Sequence, residues 1–208
     1  MSRGRASFRD KRHQWQIGDL GLSQPASCTS NNEIYGVIPY IAPEIFRGSA
    51  FSKESDVYSF GMIMWEIITG CKPFADVEHD HNLIYQIVYH EKRPEITNDT
   101  PECFADLMKK CWDSDPKKRP SIETVRKTLG SWFFKNKNKE QFDQSELRRT
   151  DLINSKKLGP KFTGKYHPNA IYTSRLLSPF ISKISTNNLT AISLYDKQGM
   201  QYLLFFEK

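Results

Sequence analysis

The chain is poor in cysteine and has no long apolar run. Its four cysteines, Cys28, Cys71, Cys103 and Cys111, contain no CxxC pair. That spacing excludes a zinc site and a disulfide frame, so reduced thiols are expected. No stretch of about 18 apolar residues occurs. The best candidate, Val57 to Thr69, is broken by Ser59 and Glu66, which excludes a membrane span there. Residues 1–16 are basic but lack the apolar centre of a signal peptide, so a cytoplasmic protein is expected. Metal ligands are scarce too. His79 and His81 flank Asp80 without partner ligands at metal-site spacing, and the trio reads as a polar helix start.

What is present suffices for a globular core. Of 208 residues, 38% are hydrophobic and 26% charged, enough for one domain with an extension or for two small domains. The net charge of +6 is uneven: residues 1–16 carry +4, residues 17–134 carry −5 and residues 135–208 carry +7. An acidic centre with basic flanks follows. The flanks show no basic stripe and no aromatic interleaving, so they read as solvated tails and no specific nucleic-acid partner is expected.

Three organisational blocks emerge: a basic segment 1–14, a folded block 15–134, and a polar, basic extension 135–208 with an apolar end. Trp15-Gln16-Ile17 reads as a short strand ending at Gly18, and Leu22 to Ile38 as a long loop of the kind that usually carries function. Ser55 to Gly70 reads as a helix stopped by Gly70. Its apolar residues cover almost every side, so burial all round is expected where every packing element is present, with part of the surface exposed and prone to association where one is missing; buried, Asp56 and Glu66 need partners. Residues 81–90 give an amphipathic helix. Thr100-Pro101 gives an N-cap and a first-turn proline for a helix carrying Phe104, Leu107, Met108, Cys111 and Trp112. Ser121 caps a last helix with Ile122, Val125, Leu129 and Phe133 on one face. Lys135 to Lys161 reads as exposed helix or linker, and Leu189 to Phe206 as a hairpin whose Tyr202–Phe206 run is prone to aggregate.

Three motifs stand in order: Asp19-Leu20-Gly21, then Pro39-Tyr40-Ile41-Ala42-Pro43-Glu44, then Ser55-Asp56-Val57-Tyr58-Ser59-Phe60-Gly61. With Gly70-Cys71-Lys72-Pro73-Phe74, Cys111-Trp112 and Asp115-Pro116-Lys117-Lys118-Arg119-Pro120, they resemble the C-terminal lobe of a eukaryotic protein kinase domain. Residues 15–134 fit without gaps. Trp65-Glu66 and Cys111-Trp112-Asp113-Ser114-Asp115-Pro116 resemble the tyrosine-kinase-like group, and Tyr40 leans toward Ser/Thr specificity.

The resemblance implies a mainly α fold: the C-terminal lobe of the protein-kinase-like fold, truncated at the N-terminus, with a basic C-terminal extension. It implies that Asp19 is a magnesium ligand working with the missing lobe, that Leu20 keeps the packing role of the usual phenylalanine, and that Asp19, Leu20, Gly21, Ala42, Pro43 and Glu44 bracket an activation segment. Glu44 is implied to form a buried ion pair with Arg119, a pairing suited to a forked guanidinium. Asp56 is implied to accept backbone amides of the catalytic loop. Ser23, Ser27, Thr29, Ser30 and Tyr35 are candidate phosphorylation sites.

Two departures bear on activity. Val37 stands where Ser/Thr kinases usually carry threonine, and so lacks its hydroxyl. No catalytic base can be nominated. Phe8-Arg9-Asp10 only superficially resembles the catalytic loop, because Trp15 stands where the second magnesium ligand belongs and Asp10 lies too close to Asp19; Asp10 reads as a turn residue. ATP and magnesium are therefore implied for a complete parent acting on protein Ser/Thr in signalling, while this chain, without glycine-rich loop, ATP lysine or catalytic Asp, is expected to bind them poorly. Protein substrates or other kinases are the implied partners. The rival expectation is a non-catalytic interaction module docking partners through residues 71–112.

Overall fold

The computed structural model describes residues 34–161 and 164–184, together with the backbone of Phe8–Arg9 and Trp15–Gln16. The chain divides into two compact units, 1–32 and 33–208. In the first, β1 (Phe8–Arg9) pairs antiparallel with β2 (Trp15–Gln16), Arg9 opposite Trp15. The expected strand at Trp15 is thus present. Asp10, Asp19 to Gly21 and the loop to residue 33 lie outside the described residues.

The second unit is mainly helical. It contains β3 (Tyr35–Gly36), α1 (Pro43–Phe46), α2 (Lys53–Thr69), α3 (His81–Tyr89), α4 (Glu102–Cys111), α5 (Ile122–Lys135), α6 (Lys139–Asn154) and β4 (Arg175–Leu176). Single 3₁₀ turns at Ile38–Tyr40 and Pro116–Lys118 precede α1 and α5.

The central element is α2. Its start is fixed by a reciprocal cap: Ser55 N–H donates to Ser52 Oγ at 3.2 Å, and Ser52 N–H donates to Ser55 Oγ at 2.9 Å. Two orphan amides are satisfied at once, so the helix begins at Lys53, ahead of the Ser55 expected from sequence. Gly70, at φ 68°, closes the other end as a left-handed cap that only glycine adopts without strain. Val57, Tyr58, Met62, Met64 and Trp65 are buried against Met108, Cys111 and Trp112 at the end of α4. The two helices approach so closely at Gly61 that a Cβ there would lie 2.9 Å from Cys111 Cβ and 3.3 Å from the Met108 carbonyl. The indole of Trp65 donates to the Glu95 carbonyl at 2.8 Å, tying α2 to the chain before α4.

The all-round burial expected of α2 does not hold. Ile63 is 42% and Ile67 69% exposed, Phe60 is half-buried, and Asp56 faces solvent on the same side. Positions 56, 60, 63 and 67 follow the helical repeat, so they form one stripe that no described element covers. The composition showed apolar residues on every side but not how many sides have a neighbour.

Other helices keep their predicted place with altered detail. Asp80 caps α3, accepting the amides of Asn82 and Leu83 at 3.0 and 3.2 Å. His79, though, is 1% exposed and no part of a polar helix start. At α4 the cap position falls on Pro101 rather than Thr100, whose hydroxyl instead pairs with Thr97 at 3.2 Å. Ser121 does cap α5, yet Ile122 and Phe133 are exposed. The buried face of α5 runs through Val125, Leu129 and Trp132, with Trp132 set between Phe104 and Phe142.

Among the residues after 134, α6 and residues 166–184 pack onto the preceding helices. Along α6, Arg149 donates to the Ile68 carbonyl at 2.9 Å and pairs with Asp99, while Gln141 Oε1 accepts the Cys103 amide at 2.8 Å. Further on, β4 pairs antiparallel with β3, Tyr35 opposite Leu176 and Gly36 opposite Arg175. Residues 178–184 are helical, with Leu177 and Ile184 in the core. The expected hairpin 189–206 lies outside the described residues.

Two outcomes are expected. Gly61→Ala gains about 1 kcal/mol of helix propensity but overpacks the α2–α4 contact by about 1 to 3 kcal/mol. Chemical denaturation should show a net loss of stability. Burial pushes the Cys111 thiol up to about 11, so it should resist maleimide in the parent protein and label faster in this variant. Ile67→Lys, on the exposed stripe, should reduce self-association in sedimentation without moving the melting midpoint by more than a degree or two, since surface changes usually stay within about 0.5 kcal/mol.

Candidate functional site

The residues nominated from sequence fall into three places. Asp19, Leu20, Gly21, Ser23, Ser27, Thr29 and Ser30 lie outside the described residues. Tyr35 sits exposed on β3. Ala42, Pro43 and Glu44 are buried at the start of α1, where Ala42 occupies the cap position and Pro43 opens the first turn.

Glu44 meets Arg119 in the interior. Arg119 Nη1 donates to Glu44 Oε1 at 2.7 Å and Nη2 donates to Oε2 at 2.8 Å, a forked pair between side chains 75 residues apart. Two further guanidinium donors are satisfied: Nε reaches the Asp113 carbonyl at 2.8 Å, and Nη1 also reaches the Glu54 carbonyl at 3.0 Å. Together these bonds tie α1, the first turn of α2 and the approach to α5 at one point. The guanidinium lies over the ring of Tyr58, 5.2 Å from its centroid. Arg93 lies 5.0 Å from the same centroid and donates to the carbonyls of Trp112 and Lys92 and to Ser114 Oγ. Two cations thus share one aromatic ring.

Asp56 does not join this cluster. It stands in the first turn of α2, exposed, and its carboxylate has no partner among the described residues. The expected burial of Asp56 is therefore corrected. An acidic side chain in a first turn faces the positive end of the helix dipole and is favoured there without burial.

Just before α1, Tyr40 is held against the middle of α2. Its hydroxyl donates to Glu66 Oε2, Lys72 pairs with Glu66 Oε1, and Ser59 Oγ donates to the Tyr40 carbonyl at 2.7 Å. Burial, and then the Glu66 carboxylate, push the Tyr40 hydroxyl well above the usual phenol range, so it stays protonated as the donor. This answers the demand that Glu66 be paired. The segment Val37–Phe46 is consequently fixed at both ends, by Glu66 through Tyr40 and by Arg119 through Glu44.

Sequence reasoning did not find the Tyr40–Glu66–Lys72 chain, the Arg93–Tyr58–Arg119 stack or His79. The signals were faint. Arg93 sits in an ordinary basic dipeptide, and His79 was masked by its polar neighbours. His79 Nδ1 lies 3.0 Å from the Ile171 carbonyl and Nε2 3.0 Å from the Phe74 carbonyl. Burial holds this imidazole below its usual range, with the two carbonyls pulling the other way. Among the described residues no group of three or more His, Cys, Asp or Glu could hold a metal ion.

Breaking the ion pair should be costly in a defined way. Arg119→Ala leaves Glu44 buried and unpaired, an expected loss of about 3 to 5 kcal/mol. Arg119→Lys keeps the charge and loses the fork, for about 1 to 3 kcal/mol. A denaturation cycle with Glu44→Gln should give a coupling of at least about 1 kcal/mol, whereas additive losses would show that the pair does not act as a unit.

Comparison with known proteins agrees with this geometry. The model of the protein tyrosine and serine/threonine kinase family matches residues 5–129. The chain is 36% identical over 114 residues to mitogen-activated protein kinase kinase kinase 10 of Homo sapiens, covering 55% of this chain and 12% of the relative. It is 38% identical over 100 residues to mitogen-activated protein kinase kinase kinase 7 of Bos taurus, covering 48% and 17%. It is 34% identical over 112 residues to dual specificity protein kinase splA of Dictyostelium discoideum, covering 53% and 5%. The chain thus spans under a fifth of the length of these relatives. The family match takes in well over half of the residues, from β1 to the middle of α5 and across the Glu44–Arg119 pair, and the chain belongs to the protein tyrosine and serine/threonine kinase family.

Proposed function

We propose that residues 15–134 are the C-terminal part of a Ser/Thr protein kinase domain of the tyrosine-kinase-like group. A complete form would transfer the ATP γ-phosphoryl group to protein Ser or Thr hydroxyls in cytoplasmic signalling, and the 208-residue chain alone is inactive. The observation that carries this reading is the forked Glu44–Arg119 bond. It fixes the segment before α1, the part of an activation segment that would face a protein substrate. The group assignment draws support from the relatives named mitogen-activated protein kinase kinase kinase.

Inactivity follows from what phosphoryl transfer asks for. The rate comes almost wholly from positioning and from neutralising charge on the phosphates, so a glycine-rich loop, an ATP-pairing lysine and a base are needed together. The 208 residues carry none of these in recognisable form. Asp19 is the one residue assigned to magnesium, and it lies outside the described residues. The work of the chain's own residues is mechanical: Arg119, Glu44, Tyr40 and Glu66 hold Val37–Phe46 in one shape. On the second reading, a docking module using residues 71–112, part of that surface is already engaged, because Pro73, Ala75 and His79 bond to residues 167–175 of the same chain.

The purified chain should show very weak binding of a fluorescent ATP analogue and no phosphate transfer to a generic protein substrate, with Asp19→Asn changing neither. Fusing an in-frame upstream lobe should restore nucleotide binding and make transfer depend on Asp19. Turnover by the 208-residue chain that vanishes in Asp19→Asn would overturn the proposal.

A further inference from the structure

Residues 166–184 lie along the lobe in a manner typical of a bound peptide. The lobe meets them mainly with main-chain groups. The Ile34 carbonyl accepts the Leu177 amide at 2.7 Å, the Ala75 carbonyl accepts the His167 amide at 2.7 Å, and the His79 amide donates to the Asn169 carbonyl at 3.1 Å. The Pro73 carbonyl accepts the Tyr172 hydroxyl at 2.8 Å, and the His79 carbonyl accepts Arg175. His79 adds its ring, which contacts the Ile171 carbonyl and meets the Tyr172 ring edge-on at 4.8 Å. Between these points β4 extends the edge of β3.

The segment in turn supplies side-chain anchors at intervals. Tyr172 lies against the 73–79 loop, and Arg175, bonded to the His79 carbonyl, is steadied by stacking on Phe180 of the same segment at 4.6 Å. Leu177 is 0% exposed, and Ile184 closes the run in the core. Thr173 and Ser174, between the anchors, face solvent. Main-chain bonds along a strand edge with side-chain pockets at alternate points are the hallmark of recognition by strand addition. The lead-in is exposed at residues 161 and 164–166, and Gly164 takes φ 83° with nothing within 4 Å of a Cβ position. Exposed residues beside a glycine ahead of the segment give it a place to hinge, and local opening of such a unit costs less than global unfolding.

We infer that the surface formed by the β3 edge and the 73–79 loop is a docking site for a peptide that is extended up to its leucine anchor and helical after it, occupied in cis by residues 166–184. The partner it fits is a protein segment with the same spacing of anchors: a tyrosine, an arginine three residues on, a leucine two further and a phenylalanine three beyond that. The partner enters by displacing the chain's own segment. This goes beyond the kinase reading and does not depend on phosphoryl transfer.

The test keeps every anchor intact. A protease recognition sequence is inserted beside Gly164 in the full chain, the purified protein is cut there, and a fluorescent peptide of residues 166–184 is added. The uncut chain should bind no peptide. The cut chain should exchange its own segment for the labelled one saturably, and a peptide carrying Arg175→Ala and Leu177→Asp should bind at least tenfold more weakly. Three results would overturn the inference: loss of helical signal on cutting, a cut segment that never exchanges, or equal binding of the altered peptide. Hydrogen exchange on the uncut chain gives a second reading that needs no insertion. The Leu177 and His79 amides should exchange at least tenfold faster than those of Met62 and Trp65 in α2, and exchange at one common rate would mean that the segment is an inseparable part of the core.

Discussion

Everything described here hangs on one buried ion pair. Taking a carboxylate and a guanidinium out of water costs several kcal/mol for each, so a pair such as Glu44–Arg119 persists only where its geometry and the surrounding bonds offset that cost. Both conditions are met: the fork is complete, and two further donors of Arg119 end on carbonyls. The pair contributes definition more than stability. A hydrophobic pair of equal volume could slide, whereas a fork with two further carbonyl partners fits a single placement of α1 relative to α2 and α5. The Tyr58 ring, shared with Arg93, extends that constraint to the end of α4.

A second constraint acts through α2. Glu66 lies in the last turn of a helix whose other side is core, and the cost of a carboxylate there is offset by Tyr40 and Lys72. That choice of partners has a structural result. Tyr40 is drawn onto α2, so the segment before α1 follows the helix and does not swing with the loop that precedes it. Polar residues inside an apolar helix thereby position a functional segment that has no regular structure of its own.

How much of this was legible in the sequence depended on the range of the signal. Helices α2 to α5 could be read from periodicity and caps because those are local properties, and errors fell at their ends: α2 starts at Ser55 on the pattern alone because the Ser52 cap escapes it, and Thr100 reads as the cap where Pro101 stands. The Glu44–Arg119 partnership came from motif resemblance, since no local rule links residues so far apart. Burial was harder. The apolar surface of α2 looked complete in one dimension, but Ile63 and Ile67 show that a side chain is buried only where another element arrives. The path of residues 166–184 was invisible for the same reason. Their mixed composition carries no strand signal, and β4 exists because β3 offers an edge to it.

The length of chain between the end of α6 and the bonded segment sets a further property. About a dozen residues separate Asn154 from His167, the first residue of the segment bonded to the lobe, and a connection of that length holds its end at an effective concentration on the order of millimolar. Any competitor for the β3 edge meets that concentration as a threshold. A ligand of micromolar intrinsic affinity, present at micromolar concentration, would occupy roughly one groove in a thousand. Partner choice at this surface is therefore governed by avidity: a solitary peptide fails, while a partner anchored elsewhere on the lobe, or presenting its strand at comparable local density, succeeds.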